Sequence, residues 1–194
     1  MYTPWGYEVE ELPPLIDSDT FDDATGGIYA GDPAAEYALG AASDAIRNVC
    51  GWHIAPSVAC KATLTPDGRM AKLPARLVTS IESVTDNGTE LTSGQYEARH
   101  DGLIRHTCFK PFTGGWDSLV VEYTAGFETA PDALIQAVVK VAEMAMTAGA
   151  GVASETAGNV SISYQSEASA LASLAASRMT GAFAPYRLVS AHAA

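Results

Sequence analysis

The stretch "DPAAEYALGAASDAIRNVCGWHIAPS", residues 32–57, holds the punctuation from which the rest of the chain can be read. Asp32 suits an N-cap, because its carboxylate can accept the orphan amide hydrogens of a first helical turn, and Pro33 suits the first helical position. Ala35, Leu39, Ala42, Ile46 and Val49 then recur at alternating spacings of four and three, which makes one apolar stripe. Gly51 supplies the left-handed residue that stops a helix. The pattern predicts a helix over residues 33–50, closed by Cys50 and followed at once by Trp52 and His53.

A cysteine, a tryptophan and a histidine within four positions can be a reactive or metal-binding site, or a packing cluster. The Cys50–His53 spacing is common in zinc sites, but a structural zinc needs four ligands. Cys60, His100, His106 and Cys108 form no second knuckle, although His106 and Cys108 share one face of a candidate strand. The bland reading is favoured: Gly51, Trp52 and His53 are structural.

Downstream the period changes. Residues 58–125 carry short apolar runs between turn signals. Pro66-Asp67-Gly68 separates two runs and suggests a hairpin. Asn87-Gly88 is the strongest short hairpin signal in the chain, because a type I′ turn needs positive φ at both central residues. Asp101-Gly102 suggests another turn. In "SLVVEYTAG" Leu119, Val121 and Tyr123 alternate with Val120, Glu122 and Thr124. The region reads as a small antiparallel sheet or sandwich.

Residues 131–147 return to the helical period. Gln136, Lys140, Glu143 and Thr147 form a single polar stripe on an otherwise apolar helix. Such a helix needs at least two packing partners, one of which could be another subunit. Residues 148–165 open with a small-residue loop. Val160, Ile162 and Tyr164 alternate in a strand, 159–164, that has no adjacent hairpin mate and so needs an edge to pair with. A last helix is expected over 167–180, followed by "FAPYRL" and a polar tail, 189–194. Tyr186 and Arg187 either anchor an interface or tie the C-terminus to its own body.

Residues 1–31 read as an extended acidic arm, with Leu12, Leu15, Ile16 and Phe21 as anchors. "DSDTFDD" (17–23) superficially resembles a calcium loop, but Phe21 and Asp22 stand where an oxygen ligand and a glycine are required.

The chain has 194 residues, enough for one domain with arms. Its net charge is −12, so tight binding to DNA phosphates is not expected, while a passage for DNA is compatible with it. Three widely spaced cysteines do not read as a disulfide framework, and no signal peptide or membrane-spanning run is evident. No GxSxG elbow, HExxH or P-loop occurs. Gly149-Ala150-Gly151 follows a helix rather than a strand, which fails the dinucleotide context.

Taken in order, "AIRNVCGWHIAP", "KLPARLVTSIESVTDNGTEL", "VVEYTAGFETAPDALIQAVVKVAEMA", "GNVSISY" and "APYRL" resemble the head–tail connector, or adaptor and head-completion, proteins of long-tailed bacteriophages. The likeness runs over most of residues 34–188, and "LPPLID" is also similar. The resemblance implies a structural virion protein made in the host cytoplasm and located at the neck. It implies a homo-oligomeric ring, commonly of twelve copies, below the portal protein. The ring extends the DNA channel and docks the next neck or tail-completion protein. DNA passes without tight binding, and no membrane, cofactor or enzymatic activity is implied.

The fold expected is α+β: a small bundle of three main helices with a β-rich antiparallel insertion between the first and second, forming a connector domain over 32–188. Contact elements are expected at Leu12, Leu15 and Ile16, at Val160, Ile162 and Tyr164, and at Tyr186 and Arg187. Two other readings stand beside this one. One is a Cys/His-dependent enzyme or zinc-containing domain, and the other a tail-associated β-rich binding module.

Overall fold

The computed structural model describes residues 1–107, 110–148, 154–157, 160–163 and 180–188. It forms two compact units. One is assembled from Met1–Leu12, Gly51–Thr129 and Tyr186–Ala194, the other from Pro13–Cys50 and Ala130–Pro185.

The first unit is built on β8 (Leu119–Ala125). Its Leu119, Val121, Tyr123 and Ala125 are buried while Glu122 faces solvent, as strand alternation requires. Antiparallel neighbours flank it: β2 (Val58–Leu64) on one side and β4 (Val78–Asp86) on the other. With β1 (Tyr7–Val9) and β5 (Thr89–Glu90) they make a five-stranded sheet in the order β1-β2-β8-β4-β5. On the polar face Lys61 lies opposite both Glu8 and Glu122, and its ammonium is 3.0 Å from the Glu122 carboxylate. A second sheet has the order β3-β7-β6, from β3 (Met70–Lys72), β7 (Leu103–His106) and β6 (Tyr96–Ala98).

Two turns follow the sequence signals. Asn87 (φ 47°) and Gly88 (φ 79°) join β4 to β5 with Asp86 opposite Thr89, a two-residue I′ type of connection. Gly102 (φ 84°) turns β6 into β7, and a Cβ there would lie 2.8 Å from the Ala75 carbonyl oxygen. The Pro66-Asp67-Gly68 signal marks a turn, with the Asp67 amide donating to Met70 O at 2.8 Å, but not the expected hairpin. The strands it joins enter different sheets, because Cys60 and Ala62 of β2 complete the buried face of β8.

The N-terminal segment is not an extended arm. Tyr7 and Val9 are buried in β1, opposite Ala62 and Cys60 of β2. Residues 1–3 fold back on β1, with the Thr3 amide donating to Tyr7 O at 2.8 Å and the Val9 amide to Met1 O at 2.9 Å. The β-rich part is therefore more than an insertion between helices: its edge strand comes from the chain start. A helix, α1 (Ser18–Thr25), follows. The Asp17 side chain caps it, accepting the Thr20 amide at 2.8 Å, and Gly26 (φ 67°) stops it. The acidic run masks these signals because its carboxylates hide one short apolar stripe, in which Phe21 is buried and stacks on Tyr29.

In the second unit α2 (Pro33–Cys50) has the predicted bounds, with the Ala34 amide donating to the Asp32 carboxylate at 2.9 Å. It packs on α3 (Asp132–Ala148), which also touches α1. Leu134, Ala137, Val138, Val141, Ala142 and Ala145 of α3 are buried, while Gln136, Lys140 and Thr147 are exposed as the polar stripe predicts. Among the described residues α2 and α1 both pack against α3. Arg47 of α2 is buried and donates through Nη2 to Pro13 O at 2.7 Å. The Leu15 amide donates to Ser43 Oγ at 2.9 Å, so the segment before α1 is latched to α2 by its backbone.

The strand predicted over 159–164 is β10 (Val160–Ser163), and it does have a neighbouring mate. It pairs antiparallel with β9 (Ser154–Ala157), Val160 opposite Ala157. "SETA" carries no apolar alternation, so periodicity misses it, although Gly158-Asn159 between the strands is a hairpin dipeptide. The expected helix 167–180 lies outside the described residues apart from its last position, Thr180. A short helix, α4 (Thr180–Phe183), starts there and runs into a 3₁₀ turn, Ala184–Tyr186. The architecture is mixed α+β with antiparallel pairing.

Candidate functional site

The segment after α2 is a packing knot. Gly51 (φ 78°) turns the chain, and Trp52 is fully buried. The Trp52 indole N–H donates to Tyr186 O at 2.7 Å, and its ring meets Phe127 at 6.1 Å. Phe127 in turn meets Tyr186 edge-on at 6.3 Å.

His53 is also fully buried. Its Nε2 is 2.9 Å from Ala125 O, which can only accept, so Nε2 carries the proton. Its Nδ1 lies 2.8 Å from the Tyr7 hydroxyl, which also accepts the His53 amide at 2.9 Å. Ile54 follows in the left-handed region (φ 71°), a costly conformation for a β-branched residue. Gly126 closes the knot. A Cβ there would stand 2.6 Å from Pro56 O and 2.7 Å from His53 Nε2.

This arrangement holds strands together, with Trp52 and His53 fully buried. Burial, helped by the Glu82 charge, pushes the Cys60 thiol up to about 12, so it stays protonated. Burial likewise pushes the Tyr123 hydroxyl upward, with Cys60 next in influence. His106 is buried against Phe112, ring centres 5.5 Å apart. Among the described residues no group of three or more histidine, cysteine or carboxylate side chains could hold a metal ion. Cys108 lies outside the described residues.

The predicted contact residues are distributed unevenly. Leu15 and Ile16 are buried, and Leu12 is half-buried. Val160 and Ile162 sit in the β9–β10 hairpin, and Tyr164 lies outside the described residues. For Tyr186 and Arg187 the tie to the chain's own body is present: Tyr186 O accepts from Trp52, and Arg187 O accepts from Arg76 Nη1 at 2.9 Å. The Arg187 side chain remains exposed.

Three features went unnoticed in the sequence. Tyr7, part of the His53 knot, is signalled only by a Tyr-Glu-Val alternation too short to stand out. Trp116 lies in a polar, glycine-rich loop, "FTGGWDS" (112–118), and is 93% exposed. A groove of about 440 Å³ lies along β1 and β2, lined by Val9, Ala59, Cys60 and Tyr123 and rimmed by Glu8, Glu10, Glu82 and Glu122.

A model of the head completion protein family matches residues 27–177. The chain belongs to the head completion protein family. Solved structures carry the same fold across nearly the whole of this head completion chain. A chain in the neck of a native gene transfer agent particle, computed with C12 symmetry, is 16% identical with a TM-score of 0.57. One in the neck of the empty particle, computed with C6 symmetry, is 17% identical with a TM-score of 0.56. In both cases 97% of this chain and 98% of the other are covered. No curated protein matches the sequence. No helix among the described residues is long and apolar enough to cross a membrane.

Proposed function

We propose that this head completion protein is a structural component of the virion neck, joining head to tail as one copy in a ring around the DNA channel. The observation that carries this reading is the family match over residues 27–177, supported by a fold shared end to end with neck chains solved under rotational symmetry. Twelve copies below the portal protein, docking the next neck or tail-completion protein on the far side, form the arrangement proposed. A net charge of −12 per chain suits a conduit. Like charge keeps passing DNA from adhering within a screening length of roughly 8 Å.

The buried positions of Leu15 and Ile16 leave the β9–β10 hairpin as the first contact element. A two-stranded hairpin is marginal in water without a third strand or a packed face. Val160, Ile162 and Tyr164 are proposed to find theirs on an adjacent subunit or the portal. The helices α2 and α3, with residues 167–180, are proposed to form the bundle of the connector domain. Arg187 is proposed as a rim contact. A Cys/His enzyme is disfavoured by a buried, hydrogen-bonded His53 and a protonated Cys60.

The test is to add the purified chain to heads that carry portal but lack this protein, and to image the vertex. A ring below the portal is expected. Absence of added density at that vertex overturns the reading.

A further inference from the structure

Charge is sorted along this chain. Residues 1–46 hold ten carboxylates and neither lysine nor arginine, while residues 69–110 hold six of the eleven basic residues. The fold gathers part of the second set into one patch. The Leu73 amide donates to Gly102 O and the Val78 amide to His100 O, both at 2.8 Å, so the segment leaving β3 runs beside the β6–β7 turn. Lys72, Arg76, Arg99 and His100 are thereby brought together, and Arg76 Nη1 reaches Arg187 O at 2.9 Å, which adds Arg187 at the margin. Arg76, Arg99, His100 and Arg187 are exposed. Asp101 is the carboxylate in their midst: Arg99 Nη2 is 3.0 Å from it, and the Lys72 ammonium donates to its main-chain oxygen. Burial holds Lys72 below the ordinary lysine range. Asp101 opposes that shift, and the Arg99 and Arg76 charges add to it, as crowded cations do.

The opposite charge is left unmatched on α1. Asp19 and Asp23 are exposed and Asp22 is half-buried, and none of the three forms an ion pair among the described residues. Asp22 and Asp23 lie in the last turn, which carries no basic residue and where the helix dipole disfavours negative charge. These carboxylates do nothing for their own helix end, and a cation from outside would satisfy them. A closed ring of identical chains needs two different patches of one molecule to meet on successive copies. A cationic patch and an anionic helix meet that need, whereas two acidic faces would repel.

We infer that the patch of Lys72, Arg76 and Arg99 on one copy receives the acidic helix α1 of the next, as a contact that closes the ring. This rests on the ring reading above and adds its interface. A DNA duplex would reach the same patch only against the net charge of −12 of the whole chain, while α1 brings charge of the required sign from the molecule itself. The contact weakens as salt screens it.

The experiment uses the full chain added to heads that carry portal, in roughly 0.15 M salt. Arg76→Glu with Arg99→Glu should lower ring occupancy about tenfold or more, and so should Asp19→Lys with Asp23→Lys, while circular dichroism shows both folded. Asp23→Lys suits the dipole of α1, so its effect is not a weakened helix. The chain with all four substitutions should regain occupancy, because the reversed patches again attract. To place the contact between copies, Arg99→Cys chains and Asp23→Cys chains, both carrying Cys108→Ser, are mixed at the vertex. A short thiol-specific cross-linker should give covalent dimers from the mixture and none from either variant alone. Occupancy unchanged by either pair, no recovery with all four, or no dimers from a mixture that has joined the ring overturns this contact and leaves the neck assignment standing. Retardation of a DNA duplex by the unsubstituted chain, abolished by the arginine pair, also overturns it and gives the patch to nucleic acid. Failure of the unsubstituted chain to join the particle overturns both readings.

Discussion

Trp52 and Trp116 belong to the same unit and are treated in opposite ways. Trp52 is fully buried and its N–H reaches Tyr186 O, so a main-chain carbonyl 134 residues away completes its hydrogen bonding. Trp116 is 93% exposed, yet the backbone on both sides of it is anchored. Order is therefore common to both, and burial is not. The contrast separates what an aromatic side chain does for the fold from what it can do for assembly. In the knot, removal of any atom leaves a hole or an unpaired group. On the loop, removal leaves the monomer intact.

The comparison breaks most readily at Gly126. A methyl group there collides with Pro56 O and His53 Nε2, and a φ of 112° is itself unfavourable for any residue with a Cβ. Gly126→Ala should cost on the order of 3 kcal/mol or more, read as a lower urea midpoint at unchanged slope. An unchanged midpoint would mean that the knot yields, and the distinction between the two tryptophans would lose its basis. Tyr7→Phe comes next. It withdraws the hydroxyl used by both His53 Nδ1 and the His53 amide, and should cost about 2 kcal/mol by the same measurement.

Outside the knot, the cap of α1 should matter less. Asp17→Ala should cost about 1 kcal/mol, because the Asp17 carboxylate satisfies the Thr20 amide from an exposed position. The Asp17 carboxyl is held below its ordinary value, chiefly by hydrogen bonding from the Thr20 side chain and then from its amide. Its folded-state affinity for protons is thus lower than in the unfolded chain. The cap's contribution is present above the ordinary carboxylate range, near pH 4, and is lost as pH falls through the lowered value. The difference between Asp17→Ala and the unsubstituted chain should therefore narrow in acid.

What the sequence made legible divides along similar lines. Helices α2 and α3 could be read because long stripes, Asp32 and Gly51 all act through local geometry. The β4–β5 turn could be read because Asn87-Gly88 satisfies a local dihedral demand. The knot could be read only in outline. Trp52 and His53 announced burial, but their partners Tyr186, Tyr7 and Ala125 are distant in sequence, and pairing over such separations leaves no periodic trace. Three-residue β1 and the polar β9 fall below the length at which alternation can be recognised. Trp116 was invisible for another reason. A single aromatic among glycines looks the same whether it packs inward or stands in water, and only the backbone anchors on Asp86 and Thr65 decide it.

The smallest expected effect on stability is the most informative for function. Trp116→Ala deletes a side chain that is already in water, so it forfeits almost no buried area, and exposed substitutions of this kind fall within about 0.5 kcal/mol. The backbone anchors are made by Phe112, Thr113 and Asp117, so the loop keeps its shape without the indole. In the free chain Trp116 should be freely quenched by acrylamide, while buried Trp52 is protected. A midpoint lowered by more than about 1 kcal/mol would show that the indole packs on its own chain. The two tryptophans would then be alike. A midpoint unchanged, with Trp116 quenched in the free chain, is the outcome that a side chain standing clear of its own fold requires.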